Sequence, residues 1–526
     1  MLFRGFSPGP VGSSDRFEMP LKSLVREPGL NPTLPRHELY HEIFGSILDR
    51  TEMAPYLLLR SGGYRVALRQ ATRMLGNRGF DTQGANKLRP REKARAQNYV
   101  RQVRRYLLDW LLPFAKKQLS QLAALTSSNR GHYRACQRAI GKIQATLADQ
   151  DFRRLVDRDP RHLFLLASSV KYPGLFHGYR GQNLDIPDAW QRVACAMLKM
   201  GHIIKSIEED SQDIHDYAQL GIFLESQSRS LDDLFCFNWE NPDILPGDEA
   251  ARRAFVKLSS FFHKLMESMT FDRAKSCLVF NSGDGVEVDI VDVKARLKSP
   301  ESMFTKLGKS VEGEAHDIRD ILAITFLLKS RDDTLTLFHA LQKRGVILQE
   351  NTVSHSITQT LFDSPADMIE AVRRLALALA RSEGKAKHAP IRQLRAEAKE
   401  FFNALNVNAR QNLDSAHGHR KFQCKINYSL PIHRGAATNQ ILVPGTAEYA
   451  TRDARQVKTQ QHTLGVELRI SDRQSWYASE LKGESHHDAY RFRQLLALMN
   501  RLFRPSFDFP RAADAQLRRD QGRVFG

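Results

Sequence analysis

Residues 286–307 read VEVDIVDVKARLKSPESMFTKL. The stretch begins by alternating, with Val286, Val288 and Ile290 apolar and Glu287 and Asp289 polar between them. Past 290 the parity flips: Val291, Val293, Ala295 and Leu297 are apolar, while Asp292, Lys294, Arg296 and Lys298 are polar. Strand side chains point to opposite faces in turn, so a single strand with a bulge near 290 accounts for the flip. The strand then ends at Lys298. Ser299 suits a helix cap, Pro300 the first helical position and Glu301 the positive end of the helix dipole.

The cations of this stretch are ordered. Arg296 and Lys298 are two apart and share a strand face. Ser302 and Lys306 are four apart and share a helix face. Strand end, helix N-terminus and Lys306 therefore converge on one point, which describes a phosphate site built from cations, backbone N–H groups and the dipole. A basic surface turn explains the stretch equally well, so taken alone it leaves both readings open.

Working outward, strand patterns continue on the C-terminal side. CLVF (277–280) is followed by the turn-rich NSGDG, and DILAITFLL (320–328) reads as a buried strand. Helical patterns follow at 332–345, with Gly345 past the end, at 364–384, with Ser364 as cap and Pro365 in the first turn, and at 391–405. KFQCKINYSL (421–430) and LGVELRI (464–470) alternate, and an amphipathic helix fits 484–503. The expected fold class is α+β: a mixed β-sheet domain flanked by helices at 275–505, with a helical insertion at 364–405 and a basic tail at 506–526. On the N-terminal side the signals are helical. YLLDWLLPFAKKQLSQLAAL (106–125) and WQRVACAMLKMGHIIKSIEED (190–210) repeat apolar residues every three or four positions. An all-α domain of unassigned role is expected at 37–270, preceded by a Pro, Gly and Ser-rich flexible arm at 1–36. His215-Asp216 has the look of a metal-hydrolase pair, but without further spaced ligands such a pair more often marks surface polarity.

Composition narrows the partners. The chain has 526 residues, and 78 Lys+Arg against 59 Asp+Glu give a formal charge of +19. That excess favours polyanionic partners: nucleotides, RNA, a ribosome or an anionic surface. Five scattered cysteines form no CxxC pair and no zinc spacing, so reduced thiols and a cytoplasmic location are expected. No apolar run reaches the roughly 20 residues a spanning helix needs.

Two carboxylates bear on the phosphate reading. Asp320 opens the buried strand, and Glu467 lies on the polar face of LGVELRI beside Arg469. Acids so placed can hold Mg²⁺ against a triphosphate, since Mg²⁺ takes hard oxygen ligands and phosphate oxygens. Singly, each is as well explained as a strand-edge acid paired with Arg or Lys. Together with the cations they favour a nucleotide site.

At this point the sequence resembles a known family, the nucleotidyltransferase domain of the RelA/SpoT alarmone synthetases. The family pattern R-x-K-S-P-x-S-x-x-x-K is matched by Arg296, Lys298, Ser299, Pro300, Ser302 and Lys306. A family strand D-I-x-G-I-R is similar to Asp320-Ile-Leu-Ala323-Ile-Thr325. V-E-I-Q-I-R is similar to Val466-Glu467-Leu-Arg469-Ile-Ser471, and H-x-x-Y-K to His487-Asp-Ala-Tyr490-Arg491. The resemblance covers roughly residues 275–505. It implies that Arg296, Lys298, Ser302 and Lys306 grip ATP phosphates and that Asp320 and Glu467 bind Mg²⁺, with Glu467 alternatively deprotonating the acceptor. It implies transfer of pyrophosphate from ATP to the 3′-hydroxyl of GDP or GTP. Arg469, His487, Tyr490 and Arg491 fall on the acceptor side.

The sequence departs from the pattern on that side. The family loop N-G-Y-R-S-x-H corresponds to His417-Gly418-His419-Arg420-Lys421-Phe422-Gln423. Gly418 and Arg420 remain, while His419 stands where a Tyr would stack on guanine. Thr325 replaces an Arg, and Arg469 replaces a Gln. Three readings follow: a (p)ppGpp-type synthetase, the same chemistry on another nucleotide or an RNA 3′ end, and an inactive nucleotide-binding regulator.

Overall fold

The computed structural model describes residues 63–84, 87–126, 129–168, 188–210, 212–236, 244–309, 320–354, 356–384, 390–405, 420–481 and 483–525. The fold is α+β with a mixed sheet. The chain divides into two compact units. One gathers Met1–Ser206, Phe304–Gly313 and Arg491–Asp520; the other gathers Ile207–Met303, Glu314–Tyr490 and Gln521–Gly526.

In the first unit the described residues are mostly helical, with helices Gly63–Gly76, Pro90–Arg105, Leu112–Leu125, Arg130–Ala148, Gln150–Arg158 and His162–Ser168. A two-residue antiparallel pair, β1 (Thr82–Gln83) and β2 (Lys87–Leu88), interrupts them. The helix expected over 106–125 opens with a π turn, Tyr106–Leu111, before the α-helix begins at Leu112. Pro113 has no N–H to give to a carbonyl one turn back, and the widened turn just before it absorbs the missing bond. Val103, Leu107, Leu111, Leu119, Ile140, Leu147 and Phe152 are fully buried in this unit.

The second unit is built on the sheet. β3 (Met269–Asp272), β4 (Cys277–Asn281), β5 (Glu287–Leu297), β6 (Leu322–Leu328), β7 (Thr358–Gln359), β8 (Phe422–Gly435), β9 (Ile441–Leu442) and β10 (Val457–Asp472) lie in the order β3-β4-β5-β6-β10-β8-β7, with β9 on β8. Among the described residues only the β6–β10 pairing in this sheet is parallel. The β5–β6 register slips between Ile290 and Asp292, which is the bulge that the parity flip predicts. It leaves Val291 exposed and returns Ile290, Val293, Ala295 and Leu297 to one face, opposite Leu328, Phe326, Ile324 and Leu322. Val466, Leu468 and Ile470 of β10 and Ile426, Cys424 and Phe422 of β8 continue that face across the sheet. These β6, β8 and β10 side chains are buried, so this face carries the core. The opposite face is the polar one.

Three expectations are corrected. The boundary near 270 falls elsewhere, because residues 207–270 belong with the sheet. Helices Gln212–Ser226 and Glu249–Met266 are joined by the buried pair Arg253–Asp216, at 2.5 and 2.8 Å. Lys257 Nζ donates to Asp213 (2.6 Å) and to the Thr463 carbonyl of β10 (3.1 Å), and Phe261 packs edge-on against Tyr428 of β8 at 4.9 Å. Amphipathic spacing shows that a helix has a partner but not which one. Asp216 is thus neither a metal ligand nor surface polarity; it is a buried counter-ion, while His215 beside it is exposed. The supposed tail at 506–526 is folded too. It contains helix Asp514–Val524, whose fully buried Asp520 accepts a hydrogen bond from Tyr133 Oη at 2.7 Å. Its arginines give the segment a basic composition, but buried Phe507, Phe509, Leu517 and Asp520 hold it to the fold.

The helices expected at 332–345, 364–384, 391–405 and 484–503 are found as Thr334–Lys343, Pro365–Ser382, Ile391–Leu405 and His487–Phe503. Ser364 caps the second, accepting from Asp367 N. Cys136, Cys195, Cys277 and Cys424 are free and buried. Among the described residues no helix is long and apolar enough to cross a membrane. The arm at 1–36 and the loop residues Gly418 and His419 lie outside the described residues.

Candidate functional site

The polar face of the sheet gathers side chains from four strands by register alone. Arg296 of β5 sits beside Ala323 of β6, Ala323 beside Glu467 of β10, and Glu467 beside Lys425 of β8. One pleat along, Lys294, Thr325, Arg469 and Gln423 repeat the row. Directly opposed residues share a face, so Arg296, Glu467 and Lys425 must project to the same side. Lys298 just outruns β5, and its backbone N–H donates to the Ile321 carbonyl at 2.8 Å. That bond draws Asp320 alongside: Lys298 Nζ donates to Asp320 Oδ2 at 2.5 Å, and Lys425 Nζ lies 4.0 Å from the same oxygen. Asp320 and Glu467 therefore flank Lys425 on one side of the sheet.

Helix Arg473–Leu481 borders this face. Trp476 and Glu480 are four apart on it. Lys294 Nζ stands 5.0 Å from the Trp476 ring centre, and Arg469 lies 3.8 Å from Glu480. His487 Nδ1 is 3.7 Å from Glu480 Oε2. The Arg469 guanidinium donates to Glu467. Besides Lys294, which is paired with Asp292 at 3.2 Å, the site holds five basic side chains, Arg296, Lys298, Lys421, Lys425 and Arg469, against three carboxylates, Asp320, Glu467 and Glu480. A cationic surplus remains after pairing, which suits a phosphate-bearing anion.

The fields inside the cluster are strong. Burial pushes the Lys421 amine down to about 7, and Arg469 adds to the shift against the pull of Glu467 and Glu480. Burial would raise the Glu467 carboxyl, but Arg469 and Lys421 outweigh it and hold the group below its usual range. Loss of solvent around Arg296 and neighbouring Arg469 lower its pKa, while Glu480, Glu467 and Asp320 oppose that.

The other expected members are placed by their own elements. Ser302 is the capped third residue of the helix Pro300–Lys309, its N–H donating to Ser299 Oγ at 3.3 Å, so the strand-to-helix reading of 298–302 matches the geometry. Lys306 falls in Phe304–Gly313, which groups with the other compact unit. Arg491 also belongs to that unit, where it lies over the rings of Trp110 and Phe114, at 5.3 and 5.6 Å. Tyr490 stays with the sheet, close enough to Arg469 to raise its pKa. Arg420 turns away: its guanidinium grips Asp363 at 2.6 and 2.8 Å, and its N–H donates to buried Ser479. Sequence reasoning missed Lys421, Lys425 and Glu480. The alternation of 421–430 puts Lys421 and Lys425 on the same face as each other, which is a signal, but only the β8–β10 register says that this face is the one Glu467 occupies.

No family model matches the chain, and neither the curated proteins nor the solved structures contain a significant match to it.

Proposed function

We propose that the polar face of this sheet is a nucleotide site that transfers pyrophosphate from ATP to a nucleotide 3′-hydroxyl, as in RelA/SpoT-type synthetases. The observation that carries this reading is the meeting of Asp320 and Glu467 around Lys425, beside Arg296 and Lys298. These residues are brought from segments up to 171 positions apart, between Arg296 and Glu467. A solvated strand face has no reason to collect two carboxylates and their cations in this way.

A second observation concerns the departures from the family pattern. Thr325 stands where the family has Arg, and Arg469 stands where it has Gln. The two positions are direct register partners on β6 and β10. The guanidinium has changed strands while keeping its place on the face, which supports a retained anion site.

The donor set suits Mg²⁺ in kind. Asp320 and Glu467 offer hard oxygens, and no group of three or more His, Cys, Asp or Glu fit for a metal occurs among the described residues. Two carboxylates fit an ion that draws the rest of its shell from water and phosphate. Bound there, Mg²⁺ would offset charge on the transferring group. Arg296, Lys298 and Lys425 bind and orient phosphate oxygens, and Arg469 holds Glu467 ionised. GDP or GTP is the acceptor by resemblance; an RNA 3′ end is the alternative that the net charge favours.

The pairing of both carboxylates with this chain's own cations gives specific support to the other reading, an inactive nucleotide-binding regulator. Incubation with labelled ATP, Mg²⁺ and a panel of acceptors separates the two. The expected result is a 3′-pyrophosphorylated product that falls by at least about 100-fold in Asp320→Asn and in Glu467→Gln, on the scale of losing one catalytic electrostatic or acid–base group. ATP binding without product from any acceptor overturns transfer in favour of the regulator.

A further inference from the structure

The helix Arg130–Ala148 reads RGHYRACQRAIGKIQATLA and holds no acidic residue. Across the wider stretch 112–148 there are six Lys or Arg and no Asp or Glu. Arg130, Arg134, Arg138 and Lys142 recur every four residues, and all four are exposed. At 3.6 residues per turn they form a gently winding ridge, one cation about every 6 Å for about 18 Å. The rest of this outward arc is Gly131, Ala135, Gly141, Ala145 and Ala148. Nothing lies within 4 Å of where a Cβ would sit on either glycine. Among the described residues none of the four cations is ion-paired; Arg130 spends only its Nε, on the Ala123 carbonyl.

The opposite side of the helix is anchored. Tyr133, Ile140 and Leu147 are fully buried, and Tyr133 is fastened to Asp520. Gln137 donates to Ser120 at 2.7 Å, tying on the helix Leu112–Leu125, which adds exposed Lys116 and Lys117. The ridge is thus preformed on a rigid element, and its charges are not spent within the fold.

We infer that this ridge docks the phosphate backbone of a double-helical nucleic acid without reading its sequence. Three of the four cations are arginines, whose forked guanidinium matches phosphate geometry. The glycines and alanines between them let the helix axis come close to a backbone. No aromatic side chain stands on the arc to stack an unpaired base, which argues against a single strand. No apolar side chain larger than Ala stands there to enter a bilayer, which argues against a membrane surface. The inference is independent of the proposed sheet site.

The test uses the full chain and a labelled RNA hairpin with a 20-base-pair stem, its affinity followed by anisotropy across salt concentrations. Four phosphate contacts predict a slope of log K against log salt of about −3.6, and Arg134→Gln with Arg138→Gln should remove about 1.8 of it. Gln keeps helix propensity, and an unchanged circular dichroism melt confirms that the fold survives. Arg392→Gln with Arg395→Gln, on the exposed helix Ile391–Leu405, is the charge-matched control and should leave the slope as it was. A DNA duplex of equal length should bind with a similar slope, since neither bases nor 2′-hydroxyls are read. An equal loss in both double variants, or none in the ridge variant, overturns the site. Tighter binding of a single strand, or equal binding of polyglutamate, overturns the partner.

Discussion

Lys421 shows at the scale of one residue what burial does to chemistry. A lysine amine in an unfolded chain holds its proton to about pH 10.4. In the fold, burial and Arg469 bring that down to about 7. Between those values the unfolded chain binds more protons than the folded one, so this group's contribution to stability rises with pH through that window and is flat below it. Anion binding runs the other way, because the cation exists in the fold only below about 7. Titration calorimetry with ATP at pH 6 and pH 8 should show weaker binding at the higher value, with a smaller difference in Lys421→Met; an equal difference in both proteins would mean the amine does not face the ligand. The sequence signals Lys421 as a polar member of an alternating run and of the loop that resembles the family's acceptor loop, with no role of its own. Asp320, Glu467, Arg296 and Lys298 were legible because residue type, spacing and order coincide with a known pattern.

At the scale of elements, the legible features were those with local causes. The bulge at 290 is written in a parity flip, and the caps at Ser299 and Ser364 are written in Ser-Pro steps that stiffen and initiate a helix. The register of β10 between β6 and β8 is not local, and it alone aligns Glu467 with Lys425. The helix pair Gln212–Ser226 and Glu249–Met266 depends on a similar long-range fact. Asp216 and Arg253 neutralise each other with side chains only 1% and 8% exposed. Removing the Asp216 carboxylate leaves the buried guanidinium with only exposed Glu249, at 3.2 Å, as a partner, so Asp216→Ala should cost about 2–4 kcal/mol in urea unfolding, somewhat less than a buried charge left wholly unpaired. Paired replacement of both residues by apolar side chains of similar size should cost much less. A loss under about 1 kcal/mol in the single variant would show that Glu249 or water compensates Arg253.

At the scale of the whole molecule, the division of the chain is not the one its periodicities suggest. A fragment cut where strand alternation begins, 275–526, lacks the helices that pack on β8 and β10. One starting at 207 retains Lys257 on the Thr463 carbonyl, Phe261 on Tyr428, and Arg434 with Glu249 at 3.0 Å. Both fragments strip residues 304–313 and 491–520 of their own unit, so neither should match the full chain, but 275–526 should unfold at lower urea than 207–526; equal behaviour of the two would make those helices dispensable. The sequence by itself determined the α+β class, the strand-to-helix turn at Lys298–Pro300, most element positions after 276 and the chemical types at the proposed site. Those depend on steric period, capping and side-chain chemistry, which act over a few residues. Only the tertiary structure decided that helices 212–266 belong to the sheet, that 506–526 folds, that Lys421, Lys425 and Glu480 join Asp320 and Glu467, and that Lys306 and Arg491 group with the other unit. Each of those is a choice of partner across the chain, and a partner is selected by the burial and charge compensation of the folded whole.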